Sequence, residues 1–110
     1  MADERPFQRS SQRYDVHIPI EFRIATDGEN GWNNGITVNL SLAGAFIEAV
    51  DKIGFGTRVE LKFQVPTQKE AVQVGGEVRW SSENGFGVLF DGLRARDVWA
   101  LGKYFEHENQ

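Results

Sequence analysis

The sequence predicts an all-β fold, a six-stranded antiparallel β-barrel with a C-terminal α-helix packed across it. Three observations predict it. Short runs alternate apolar and polar residues at the period of two that a half-buried strand requires. Twelve glycines are many for a helical protein and suit short strands joined by tight turns. After Asp91-Gly92 the apolar spacing switches to that of an amphipathic helix. Six strands followed by one helix fit a small closed barrel with a helix lying across it.

Residues 1–14 read as a polar arm, in which Pro6 interrupts any helix and only Phe7 and Tyr14 are large and apolar. Either the arm is a solvated tail or it orders when an anion arrives. Val16 to Ile24 is the clearest strand, with Val16, Ile18, Ile20, Phe22 and Ile24 on one face. Pro19 confines it to an edge, or to a place where the missing amide faces away from the ladder. Thr26 to Gly35 reads as a Gly- and Asn-rich loop. Its Trp32 either folds back to cap the core or offers a contact site. Ile36 to Leu40 and Ala45 to Val50 are the next strands, joined by Asn39-Leu40-Ser41-Leu42-Ala43-Gly44. Lys52 to Gly56 turns the chain into Arg58 to Val65, where Val59, Leu61, Phe63 and Val65 share a face.

Pro66 to Glu70 is a polar turn, and Ala71 to Trp80 is the longest strand after it. Gly75-Gly76 in its middle predicts a bulge, a bend or a close approach. Ser81 to Gly85 turns into a last strand carrying Phe86, Val88 and Phe90. Leu93, Val98, Leu101 and Phe105 then follow helical spacing, with Asp91 as the expected cap. Glu106 to Gln110 is a polar tail, and no internal repeat or low-complexity segment is visible.

At 110 residues the chain reads as one domain, 15–105 between the arm and the tail. Its 40% hydrophobic content supports one modest core. Cysteine is absent, which removes disulfides and thiolate metal sites and fits a reducing compartment. No apolar run approaches the ~20 residues that cross a bilayer. The first residues lack the apolar stretch of a secretion signal, so the expected location is cytoplasmic, with no membrane insertion.

The net charge of −4 argues against a nucleic-acid polymer as partner, which would need a basic stripe. Arg5 to Tyr14, however, holds three arginines and no acid. That segment can draw in a small anion, because screening over about 8 Å makes local charge outweigh distant net charge.

Catalysis finds little support. His17 and His107 are the only histidines, and neither has a partner at metal-ligand spacing. No nucleophile elbow and no Walker-type phosphate loop occurs. The expectation is a protein that is not an enzyme, with no metal and no cofactor. Binding of a phosphorylated purine is better supported. Arginine can grip phosphate, pair with the O6/N7 edge of guanine, or stack on a base. Arginines on an arm can clamp a ligand from one side while Asn39 and Ser41 at a tight corner supply polar contacts from the other. Gly44 permits a positive backbone angle or a close approach, leaving room at that corner. A local reading alone makes the same corner a hairpin turn, with Asn39 and Ser41 folding side-chain oxygens onto backbone amides.

Arg9-x-x-x-Arg13 before the first strand and Asn39-x-Ser41-x-x-Gly44 between the next two resemble the paired signature of the PilZ domain, a bacterial cyclic di-GMP receptor family. The resemblance runs from Arg9 to about Phe105. Gly76-Glu77-Val78-Arg79-Trp80 and Gly85-Phe86-Gly87-Val88-Leu89-Phe90 resemble the family's late strands. It implies a barrel that binds cyclic di-GMP through Arg9, Arg13, Asn39, Ser41 and Gly44, with the arm closing over the ligand. Arg5, Gln8, Ala43 and Trp80 are further candidates, Trp80 being alternatively a core aromatic. Gln8 stands where many members carry another arginine, which leaves open an intercalated pair of ligands or a single one. Asn39 stands where many have Asp; it keeps the acceptor oxygen and drops a charge. The implied function is a second-messenger receptor that signals to a downstream protein partner. The alternative is a PilZ-like interaction module that binds no nucleotide.

Overall fold

The computed structural model describes residues 12–26 and 31–108. They form six antiparallel strands in a closed barrel, and one helix. The strands are β1 (Tyr14–Ile24), β2 (Asn33–Leu40), β3 (Gly44–Glu48), β4 (Arg58–Phe63), β5 (Val72–Ser81) and β6 (Gly85–Phe90); the helix is α1 (Ala95–Glu108). The order around the barrel is β1-β2-β3-β6-β5-β4. Closure depends on β1, whose eleven residues pair with β2 over most of their length and with β4 from Ile20 to Ile24. Pro19 is exposed and lies just before the β4 pairing begins, as the edge placement requires.

The alternating apolar faces all point inward. Phe22, Leu40, Ile47, Leu61, Val78 and Phe86 are fully buried. The Phe22 and Phe86 rings meet edge-to-face with centroids 5.0 Å apart. Ala100, Leu101 and Phe105 add the buried stripe of α1, and Tyr14 stacks on Phe105 at 4.1 Å. The helix is docked at its first turn. The carboxylate of Asp97, fully buried, accepts from Gln68 Nε2 (2.9 Å) and Arg94 Nε (3.3 Å), and Thr67 Oγ1 donates to the Ala100 carbonyl (2.7 Å).

Two local expectations change, at Asn33 and Asp91, and two open alternatives are decided, at Trp32 and Gly75-Gly76. The strand expected from Ile36 begins at Asn33, because Phe22, Glu21 and Ile20 of β1 pair with Asn33, Asn34 and Gly35. Cross-strand pairing there outweighs the low strand preference of Asn and Gly. Asp91 does not cap α1; it sits four residues before the helix, where its N–H donates to the Gly75 carbonyl (2.8 Å) and its carboxylate pairs with Arg58. That hydrogen bond, with the Asp91 charge, raises the pKa of the Arg58 guanidinium further. Trp32 does not cap the core. It lies outside the barrel against cations, 4.8 Å from the Arg23 guanidinium carbon and 4.6 Å from Lys62 Nζ. Of the alternatives for Gly75-Gly76, close approach is the one realised: a Cβ at Gly76 would lie 2.5 Å from Val88 Cγ1. The β5 bulge falls instead between Val78 and Trp80.

Candidate functional site

The corner between β2 and β3 is built by Ser41. Its Oγ accepts from the N–H groups of Ala43 (3.0 Å) and Gly44 (3.1 Å), and its own N–H donates to the Gly44 carbonyl (2.9 Å). The hydroxyl lies 3.4 Å from that same carbonyl, and the residue is only 4% exposed. Ser41 is therefore committed to holding the turn, as its type predicts. Gly44 has no positive φ; among the described residues that belongs to Gly56 and Gly92. A Cβ at Gly44 would collide with the Val88 carbonyl of β6. The close approach is thus by the neighbouring strand, and the space expected for a ligand at that atom is taken.

Two bulges aim side chains outward on either side of the β3–β6 pair. One lies between Thr37 and Asn39 on β2, the other between Val78 and Trp80 on β5. Bulges re-aim side chains in this way beside binding sites. Asn39 comes to face Phe46, and Trp80 faces Gly87. Trp80 is 57% exposed and no part of the core. Its indole lies over Gly87, where a Cβ would sit 2.7 Å from the ring. The Arg13 guanidinium carbon is 5.7 Å from the Trp80 ring centroid, within cation–π range.

A groove of about 370 Å³ runs across the outer face of β3 and β6. Arg13, Asn39, Ser41, Ala43, Gly44 and Trp80, all singled out from the sequence, line it. Arg5, Gln8 and Arg9 lie outside the described residues. The groove also takes in Phe46, Ser81, Ser82, Gly87 and Leu89, which the sequence did not single out. The signal available for them was β5–β6 register, since a strand facing the corner must share its outer surface. A guanidinium, a primary amide, an exposed indole and hydroxyls around a concave apolar floor suit a ligand that is both anionic and aromatic.

The family comparison agrees with this architecture. The PilZ domain profile matches residues 7–107. The chain belongs to the PilZ domain family, a family of cyclic di-GMP receptors. Two solved structures share the fold. One is the Bacillus subtilis inhibitor of motility (MotI/DgrA), with TM-score 0.69 and 19% identity over 87% of this chain. This chain spans about half, 48%, of that protein. The other is the PilZ domain of CeSA from a cellulose-synthesising bacterium, with TM-score 0.66 and 17% identity, covering 89% of this chain and 99% of that one. No curated protein sequence matches this chain. Among the described residues no helix is long and apolar enough to cross a membrane.

Proposed function

We propose that this chain is a cyclic di-GMP receptor that acts as an adaptor rather than an enzyme. The observation that carries the reading is convergence. Arg13, the Asn39–Gly44 corner and Trp80 come from the residue before β1, the β2–β3 turn and β5, and meet in one groove. In this reading Arg13 and Arg9 grip phosphate or the guanine O6/N7 edge, Asn39 supplies an amide contact, and Trp80 offers a stacking face. Ser41 and Gly44 contribute by fixing the corner's backbone. Arg5, Gln8 and Ala43 stand at its margin.

Binding draws the arm over the groove and so changes the surface offered to a downstream protein, within the reducing cytoplasm of a bacterium. Motility and polysaccharide production are the processes to examine first, since an inhibitor of motility and a PilZ domain from a cellulose-synthesising bacterium share the fold.

The test is calorimetric titration with cyclic di-GMP. Wild type binds saturably, and Arg9→Ala or Arg13→Ala each weakens binding by roughly tenfold or more, the worth of one charged hydrogen bond. Wild-type affinity in both variants refutes the assignment. One observation favours the other reading, a PilZ-like interaction module without nucleotide. Ser41 and Gly44 both have fold roles that would keep them in place without any ligand. Absence of binding by the wild type decides for that reading.

A further inference from the structure

The groove is bounded by two corners built alike. At the β5–β6 turn the Ser82 N–H donates to the Gly85 carbonyl (2.9 Å), the Ser82 hydroxyl lies 3.4 Å from that carbonyl, and the Asn84 N–H donates to Ser82 Oγ (3.3 Å). These bonds repeat those of Ser41, Ala43 and Gly44. A Cβ at Gly85 would collide with the Ile47 carbonyl, as one at Gly44 would with that of Val88. The Ala43 carbonyl accepts from the Phe90 N–H (2.7 Å), and its counterpart on Asn84 accepts from the Ala49 N–H (3.2 Å). Each corner follows a bulge. Counterparts stand at one constant spacing, Asn39 with Trp80, Ser41 with Ser82, Gly44 with Gly85. Because β3 and β6 are antiparallel with Phe46 opposite Gly87, the two hairpins are related by an approximate two-fold axis through that pair.

What each half carries differs. Leu40, buried in the core, has Ser81 as its counterpart. Ser81 is exposed and lines the groove, and its hydroxyl, unlike its ladder-paired backbone, makes no hydrogen bond among the described residues. Trp80 occupies the place of Asn39.

We infer that the second corner is a ligand subsite, with the Ser81 hydroxyl donating to the half of the ligand that the Asn39 corner does not reach. This rests on the cyclic di-GMP reading. That ligand is itself two-fold, two identical guanosine monophosphate units closed in a ring. Centred on the Phe46–Gly87 pair, it presents one sugar–phosphate unit to each corner. Asn39 takes one half through its amide, and Ser81 takes the other through its hydroxyl.

The test titrates cyclic di-GMP into the full chain carrying Ser81→Ala, Ser81→Glu or Ser81→Thr, with thermal melting to check each fold. The expected result is affinity about fivefold lower in Ser81→Ala, from one lost hydrogen bond. Ser81→Glu loses more than about tenfold through charge against phosphate, and Ser81→Thr, which keeps the hydroxyl, stays within about twofold of wild type. Wild-type binding with Ser81→Ala and Ser81→Glu unchanged overturns the second subsite and leaves the receptor reading standing. A wild type that does not bind overturns both.

Discussion

Thr37 places a hydroxyl inside the barrel between Ile18 and Ile47, 1% exposed, and its Oγ1 has no hydrogen-bond partner among the described residues. An unsatisfied buried hydroxyl costs about 1–3 kcal/mol. Thr37→Val keeps the shape and removes the polar atom. We expect it to raise stability by about 1 kcal/mol in urea unfolding, without changing ligand affinity, because Thr37 does not line the groove. The hairpin glycines Gly44 and Gly85 leave no room for an added methyl group. Gly44 has a backbone carbonyl where its Cβ would go, which cannot move without opening the β3–β6 ladder. Ser41 likewise has its oxygen on two backbone amides. At this scale the motif was legible from the sequence, but the split between folding and binding was not. A Ser-x-x-Gly spacing does not reveal which carbonyl lies across the sheet.

Strands and helix were largely legible because their faces obey simple periods. Val59, Leu61 and Phe63 alternate in the sequence and are buried in the barrel. The illegible parts are those decided by a partner strand. Asn33–Gly35 became strand through β1, Asp91 went to Arg58 rather than to the helix, and the bulges at Val38 and Arg79 follow from cross-strand counting. The hairpin repeat was likewise invisible, since it is carried by backbone bonds and its two copies share little beyond Ser and Gly. Pairing of β5 with β6 also yields a separation of binding from folding. Gly87→Ala puts a methyl group against the Trp80 ring, and the exposed indole can swing aside. Melting temperature should change little, while cyclic di-GMP affinity falls by roughly tenfold, the worth of one stacking face. Calorimetry and a melt on the same sample check this.

For the whole molecule, closure of the barrel gives the site its rigidity. The corner, the bulges and the indole are all fixed by the ladders that bury the core, so a ligand meets them ready-made. Fold class and groove together could be read ahead of the structure because one face of every strand is apolar and the two motifs flank adjacent strands. The Trp32–Arg23–Lys62 cluster on the far side of β2 competes as a recognition surface, and it too has a cavity nearby, lined by Pro19, Asn34 and Lys62. Following backbone amide and indole N–H resonances during addition of cyclic di-GMP distinguishes the two faces. Saturable shifts are expected at Asn39–Gly44, at Ser81–Ser82 and at the Trp80 indole, with Trp32 and Lys62 unmoved. Shifts gathered around Trp32 and Lys62, or none anywhere, would contradict binding in the groove.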